Sequence, residues 1–409
     1  MAIGSRPTAM NRIYLDHNAT SPVDPQVAKA MAGALHHRYA NPASQHTDGR
    51  RARRVLDDAR SKLAAMLGAR LDAGDPDQLI FTSGATEANN LAIFGLAGGK
   101  PAHAIISAIE HPSVFETADA LARRGWKIDH LPVNRHGIVR IDVLPDLIGP
   151  QTRFVSIMLA NHETGVSQGV AEAADICRPL GISLHTDAVQ AAGKTDVDFR
   201  QLGVDAMTVS AHKLRGPVGI GALLLRENVA LAPWIFGGHQ QLGLRPGTES
   251  VVLAIGMLRA YELWRAERSA RSRQMALLRD RFESLLTTAY PESVVHGRGA
   301  PRLPHVTCIS FPGLDRQALQ MALDLSGVAC STGSACSSGS SERSRVLSAM
   351  GLEARYLDSG LRFSLGPETT LEEVDEACCR IAGICNNLRS QRTVSKMVFG
   401  GRFDGHDPI

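Results

Sequence analysis

The residues most able to do chemistry lie in short polar clusters, each placed where an apolar run ends. "SGATEANN" follows "LIF" (79–81), and "EHPS", with His111, follows "AIIS" (104–107). "ANHETG", with Asn161 and His162, follows "FVSIML" (154–159). His185 and Asp187 sit in "HTDAVQ" at the end of "ISLHT", and "SAHKLRG" brings Ser210, His212 and Lys213 at the end of "AMTVS". A lone histidine is usually structural and a lone lysine usually a surface charge; five such clusters at five strand ends are harder to read as chance. A glycine turn that opens a helix offers free N–H groups and a positive dipole end to an anion such as a phosphate. An anion cradle with a carboxylate, a histidine and a lysine suits pyridoxal phosphate (PLP). Its phosphate would sit at the helix start, Asp187 would keep the pyridinium nitrogen protonated, and Lys213 would form the Schiff base. A competing reading is a metal site from His111, His162, His185, Asp187 and His212. It leaves Lys213 and the phosphate-type turn without a role.

A second candidate is the stretch "VACSTGSACSSGS", residues 328–340. It has neither helical nor strand periodicity, and Gly333 and Gly339 bracket Cys336, which predicts a loop. An arbitrary cysteine there would be accidental; the functional alternative is a thiol that must travel to its target. Cys330 is read as structural.

Between residues 79 and 225 short apolar runs alternate mostly with helix-length segments, which predicts an α/β fold. The sheet is expected to be mainly parallel and seven-stranded, with helices on both faces. Only "AHKLRGPVG" separates the last two runs, too little for a parallel crossover, so the final strand is predicted to be antiparallel. In such sheets ligands bind beyond the carboxyl ends of the strands, where the polar clusters lie. "ESVVLAIGMLRAYELWRAERSARSRQMALLRDRFESLLTTA" predicts one or two long helices, followed by a strand, a helix, the cysteine loop, the strand "GLRFSLG" and a last helix. The expected organisation is a large α/β domain over 14–262 and a smaller α+β domain over 263–392. The smaller one includes the segment 1–13 and carries the loop 328–342; a polar tail covers 393–409.

The chain has 409 residues, of which 44% are hydrophobic and 21% charged, and a net charge of +3. That balance argues against nucleic acid or a membrane surface as main partner. Arg50, Arg51, Arg53 and Arg54 form the one basic run, read as the solvated face of a helix whose stripe is Val55, Leu56, Ala59, Leu63 and Leu67. No apolar stretch is long enough to span a membrane, and "MAIGSRPTAMNR" lacks the apolar core of a signal peptide. Seven cysteines, an odd and sparse set, point to a reducing, cytoplasmic setting. Cys177, Cys308, Cys378 and Cys385 are read as core. "AVQAAGKT" ends like a phosphate-binding loop but has Ala188 where the first glycine belongs, and no G-x-G-x-x-G opens a helix after a strand.

"YLDHNAT", "NPAS", "FTSGATEANNLAI", "EHPSV", "HTDAVQAAGK", "SAHKLRGPVGIGALL", "GGHQQLGLRPGTES", "STGSACSSGS" and "LRFSLG" resemble the group I cysteine desulfurases. These are class V aminotransferases, within the fold-type I PLP enzymes. The resemblance runs from about Tyr14 to the last helix. It implies a homodimer that removes sulfur from L-cysteine, leaves L-alanine and a persulfide on the nucleophile Cys336, and passes the sulfur to an acceptor or iron–sulfur scaffold protein. Lys213 would carry PLP and move the Cα proton; His111 would stack on the ring and act as acid and base; Asp187 and Gln190 would contact the ring nitrogen and oxygen. Thr86, Ser210, His212 and the Ala85 backbone would hold the phosphate, with Thr248 reaching it from the second subunit. Arg362 would bind the substrate carboxylate, Asn161 and His162 would contact cofactor or substrate, and Cys336 could touch a nascent iron–sulfur cluster on a partner. The chain departs from the family at His162, where asparagine is usual, at Gln241 and Leu242, at Arg343 and at Ala211. An imidazole at 162 with an ordinary pKa of roughly 6.5 would make activity depend on pH between about 6 and 8. Selenocysteine lyase activity, or a non-catalytic sulfur-transfer scaffold, are the alternatives; the intact Lys213, His111 and Cys336 speak against the scaffold.

Overall fold

The computed structural model describes residues 11–72, 74, 76–333 and 342–399, the last nine by backbone alone. Cys336 and the tail beyond residue 399 lie outside the described residues. The chain runs through β1 (Ile13–Tyr14), α1 (Pro25–His36), α2 (Thr47–Met66), β2 (Gln78–Thr82), α3 (Ala85–Ala97), β3 (His103–Ser107), α4 (Pro112–Ala122) and β4 (Lys127–Leu131). Then follow α5 (Leu144–Leu147), β5 (Thr152–Ser156), α6 (Val170–Cys177), β6 (Ser183–Asp187), α7 (Phe199–Leu202), β7 (Ala206–Ser210) and β8 (Gly221–Leu225). The remainder comprises α8 (Val251–Ala289), β9 (Val294–His296), β10 (Val306–Ser310), α9 (Arg316–Leu325), β11 (Val328–Ala329), α10 (Arg345–Ala349), α11 (Ala354–Leu357), β12 (Gly360–Ser364) and α12 (Leu371–Phe399).

Strands β2 to β8 form one seven-stranded sheet in the order β2-β8-β7-β6-β5-β3-β4. All pairs are parallel except those of β8, which is antiparallel to both β2 and β7, as the short connection before it requires. Alternate side chains feed two cores, as a pleated strand dictates. Ile105, Val155, Met207 and Leu224 face the layer holding α2, α6 and the first half of α8. Ile106 and Phe154 pack with α3 and α4, and Ile80, Ala206 and Leu223 with α3. The edge strand β4 is correspondingly polar, with Lys127 and His130 exposed. The other edge, β2, is covered by one side chain: Gln241 accepts from Phe81 N (2.7 Å) and donates to Phe81 O (2.8 Å), as a neighbouring strand would.

On α2 the buried stripe is Ala52, Leu56, Ala59 and Leu63, and the arginines at 50, 51, 53 and 54 are exposed. Helix α8 is continuous through residue 262. It packs Ala254, Met257, Tyr261 and Trp264 into the large core, and Leu278, Phe282 and Leu286 into a second core. That second core lies between α8, α9, α12 and the antiparallel sheet β12-β10-β9. Cys177, Cys308, Cys378 and Cys385 are buried. The N-terminal strand β1 pairs in parallel with β11, and Asp16 bridges to Ser364 at the end of β12. The segment entering the large sheet is thus tied to the smaller sheets. Among the described residues no helix is long and apolar enough to cross a membrane.

Gly221 is where β8 approaches the start of α3. A Cβ there would meet Gly84 C at 2.8 Å, Val209 O at 2.9 Å and Ala85 N at 3.0 Å, all of them backbone atoms. Gly221→Ala is therefore expected to lower stability by about 1–3 kcal/mol, read as a fall in melting temperature. Gly33→Ala, in the exposed middle of α1 with nothing within 4 Å, should instead raise it by about 0.5–1 kcal/mol.

Candidate active site

The carboxyl ends of β3, β5, β6 and β7 and the start of α3 converge. Lys213 sits in the 3₁₀ turn His212–Leu214 after β7. Its Nζ donates to Asn18 O (2.5 Å) and Ala19 O (2.7 Å) on the segment after β1. Asp187, the last residue of β6, is buried; its Oδ1 accepts from Val189 N (3.0 Å) and its Oδ2 from Asn89 Nδ2 (2.8 Å). Asn89 also donates to Ser113 Oγ (2.8 Å), which lies 2.8 Å from His111 Nδ1. Because Ser113 N–H donates to His111 Nδ1 (3.1 Å), that nitrogen is an acceptor and the neutral ring carries its proton on Nε2. Burial, Lys213 and Arg362 lower the His111 pKa, against the opposing pull of Asp187.

The start of α3 has Gly84 as its cap with no side-chain cap bond, Ala85 partly buried and Thr86 exposed. Ser210 Oγ and Gln190 Oε1 are buried and meet no partner among the described residues. His212 lies beside them, its Nδ1 3.2 Å from Thr20 Oγ1, and burial takes its pKa down to about 4. Thr248 is exposed, well away in sequence on the segment before α8. Arg362 on β12 is buried; its Nη2 binds Asp16 Oδ1 (2.8 Å), its Nη1 donates to His162 O (3.2 Å), and its Nε has no partner among the described residues.

Two expectations change. His162 is buried and its ring packs edge-on against His111 at 5.4 Å. Burial first, then His111, Arg362 and Lys213, hold its pKa well below the ordinary value. Both favour the neutral ring and speak against the titration expected between about pH 6 and 8. Asn161 is spent on its own turn: Oδ1 accepts from Glu163 N, Thr164 N and Thr164 Oγ1, while Nδ2 donates to Ile109 O (3.1 Å). What it offers a ligand is the placement of His162. The metal reading fails on His185, whose Nδ1 meets Ser156 Oγ (2.9 Å) and Nε2 meets Thr208 Oγ1 (3.1 Å) inside the sheet.

The structure adds residues that the sequence did not single out. Asn89 and Ser113 read as ordinary helix polar residues, and only the fold links them to Asp187 and His111. Glu110 is buried, with Oε1 accepting from Ser107 Oγ (2.6 Å) and Met158 N (2.7 Å); burial raises its pKa to about 8. Glu163 lies against both flanks of the segment 334–341 and is bonded to one of them. Ser344 Oγ donates to its Oε2 (2.6 Å), and Gly333 lies so close that a Cβ would be 2.5 Å from the same oxygen. Arg343 holds Asp358 with two bonds (2.7 and 2.8 Å). Ser331, before that segment, pairs with Arg362 through the backbone. Cys330 is buried, and burial raises its pKa, which suits packing rather than nucleophilic attack. The room for the methyl of Ala211 is made by Gly216, whose own Cβ would lie 2.8 Å from it.

The class-V aminotransferase family pattern matches residues 13–377. A cysteine desulfurase IscS of Dictyoglomus turgidum is 39% identical over 381 residues, covering 92% of this chain and 95% of that protein. A cysteine desulfurase of Trichormus azollae is 38% identical over 383 residues, 93% of this chain and 94% of its own length. Among solved structures, a NifS-like protein from Rickettsia africae has a TM-score of 0.84 at 31% identity, covering 92% of this chain and all (100%) of its own. SspA in complex with cysteine has a TM-score of 0.76 at 31% identity, over 88% of this chain and 100% of that one. Matched by that family pattern and by these relatives over nearly its whole length, the chain belongs to the class-V aminotransferases, in their cysteine desulfurase branch.

Proposed function

We propose that this protein is a PLP-dependent cysteine desulfurase. It takes sulfur from L-cysteine, releases L-alanine, and hands the sulfur from Cys336 to an acceptor protein for iron–sulfur or other sulfur-cofactor assembly. The observation that carries the reading is the Lys213 amine opposite the buried Asp187, with Ser210 Oγ and Gln190 Oε1 left without partners between them and the uncapped start of α3. Orphaned buried polar atoms of this kind suit a bound phosphate and ring oxygen, so the residues fit PLP. Ser210, Thr86, His212 and the Ala85 N–H would hold the phosphate, Gln190 the ring oxygen, Asp187 the ring nitrogen and His111 the ring face. When bound, PLP supplies an electron sink for the charge that develops at Cα.

The chain's own groups do the rest. The two carbonyls of Asn18 and Ala19 hold Lys213 Nζ in place, ready to move the Cα proton. Arg362, steadied by Asp16, takes the substrate carboxylate with its free Nε edge. His111, with its proton on Nε2, exchanges protons with the thiols. The Cys336 thiolate forms an S–S bond as the substrate C–S bond breaks, and the electron pair of that bond stays on the carbon skeleton that leaves as alanine. A second copy of the chain supplies Thr248, making the working form a homodimer; the exposed Phe236 and Leu242 near that segment are apolar surface for it to cover. Free thiols at Cys177, Cys308, Cys330, Cys378, Cys379 and Cys385 suit the cytoplasm.

The function is tested by adding PLP and then L-cysteine to the purified protein. A visible absorption band that Lys213→Ala abolishes is expected, with alanine formed and sulfide released in the presence of a thiol. Cys336→Ser should keep the band and its response to L-cysteine but release no sulfide, whereas Cys330→Ser should retain most turnover. The reverse pattern would identify Cys330 as the nucleophile. Faster turnover on L-selenocysteine with none on L-cysteine would make it a lyase instead.

Glu163→Ala removes the bond to Ser344 and the carboxylate packed against Gly333, on the two flanks of the cysteine segment. Sulfide release should fall about tenfold or more, with PLP affinity changed far less; equal losses in both would mean that Glu163 supports the whole site.

For His162 the sign is fixed by its depressed pKa. The folded ring stays neutral, while the unfolded one takes a proton below roughly pH 6.5. Its contribution to stability is full above that pH and is lost as pH falls. His162→Asn should leave the pH profile of alanine formation unchanged between about pH 6 and 8 and reduce the loss of melting temperature on acidification. An altered activity profile in that window would show that the ring does titrate.

A further inference from the structure

Lys194 ends the turn that follows β6 and is only 2% exposed. Among the described residues no carboxylate meets its ammonium; its Nζ lies 3.0 Å from His305 Nε2. The same His305 nitrogen lies 2.7 Å from Asn18 Oδ1. Asn18 cannot turn its amide over, because Nδ2 donates to His162 O (3.1 Å). The Asn18 carbonyl in turn accepts from Lys213 Nζ (2.5 Å) and from Gln190 Nε2 (3.3 Å).

One imidazole nitrogen cannot serve both neighbours in the same way. With a proton on Nε2, His305 donates to Asn18 Oδ1, and Lys194 must be a neutral amine, since an ammonium has no lone pair to present to an N–H. Without that proton, Nε2 accepts from Lys194 and Asn18 Oδ1 loses its donor. His305 Nδ1 is buried and meets no partner among the described residues, so nothing on the far side of the ring fixes the tautomer. Protonating Lys194 therefore exchanges one bond for another around Asn18, the residue that holds Lys213.

We propose that Lys194 is a positioning residue for Lys213, acting through His305 and Asn18: when neutral it leaves Asn18 fully bonded, and when protonated it loosens Asn18 and disfavours a proton on Lys213. This rests on the reading of Lys213 as the lysine that carries the cofactor. The surroundings supply the means. Burial first, then Lys213 on the turn after β7 and Arg362 on β12, bring the Lys194 pKa down to about 7. The other charged or titratable groups that bear on the pair are His17, on the segment after β1, His212, on the turn after β7, and Arg279 of α8. His17 is itself held down to about 4 by burial, Lys194 and Arg215. None of these is an acid. From α8, Ser272 Oγ donates to the Lys194 carbonyl (2.8 Å), which fixes the backbone without touching the amine.

The test is a pH titration of the visible absorption of the PLP-loaded protein, with Lys213→Ala as the control that the band belongs to Lys213. Lys194→Met keeps the bulk and removes the charge, so the midpoint should rise by about 0.5 pH unit or more. Lys194→Arg makes the charge permanent, so the midpoint should fall. In a His305→Asn background the shift caused by Lys194→Met should shrink, because the ring linking the two residues is gone. Unmoved midpoints, shifts of the same sign in both variants, or a full shift in the His305→Asn background would overturn the proposal. Should Lys194→Arg fail to fold, the lack of a rise in Lys194→Met alone suffices to overturn it. A wild-type band that is absent, or that survives Lys213→Ala, would overturn the reading of Lys213 and this proposal together; a normal band indifferent to Lys194 overturns this proposal only.

Discussion

Lys194, Lys213 and Arg362 share the space beyond the carboxyl ends of the central strands, close enough for Lys213 and Arg362 to depress Lys194. Asp16 is bonded to Arg362, and Asp187 pulls on His111. These charges meet in a place that water does not screen well. Burial first, and the neighbouring cations after it, account for the state of the histidines around them. His17, His111, His162, His212 and His305 are all held below the ordinary histidine pKa. Neutral imidazole gives each a donor and an acceptor without adding charge to a site already rich in it.

The second dependence is geometric. Asn18 receives bonds from Lys213 and Gln190 on its carbonyl, donates its amide to His162 O, and takes Ser364 Oγ on its N–H (2.9 Å). Ser364 ends β12, the strand that carries Arg362. Lys213, at the end of the large sheet, and Arg362, on the small one, are thus referred to a single residue. A shift of either sheet against the other would be felt at Lys213. The segment after β1 can do this because it is pinned behind by β1–β11 pairing and ahead by Ser21 N to His212 O (3.1 Å).

The strands of the large sheet were legible because buried parallel strands must be short and apolar, and each polar cluster then marks a strand end. The antiparallel β8 was legible from the shortness of its connection. Lys213, Asp187 and His111 could be placed because their neighbours in sequence are strand residues. Asn89, Ser113, Glu163 and Lys194 could not. Asn89 and Ser113 matter only through a bond between α3 and α4, which no local pattern encodes. Glu163 reads as one more acid on a turn until the fold sets both Gly333 and Ser344 against it. Lys194, next to "AVQAAG", reads as a solvated lysine, since burial of an amine with no acid partner is a rare outcome that composition cannot signal. His162 failed for the converse reason: the residue type was legible, but its pKa is set first by burial and then by His111, Arg362 and Lys213, brought from distant parts of the chain.

The anchoring at Glu163 also limits what a travelling thiol can do. Cys336 is three residues beyond Gly333, and an extended chain spans at most about 3.5 Å per residue, so its Cα stays within about 11 Å of Gly333. The other flank, at Ser344, is tied to the same carboxylate. A cavity of about 310 Å³ lined by Glu342, Arg345 and His162 opens on this side of the molecule. Under the proposed function an acceptor would have to come to this edge. The exposed Arg345 and Glu116, paired there at 3.6 Å, and the Arg343–Asp358 pair form the rim it would meet.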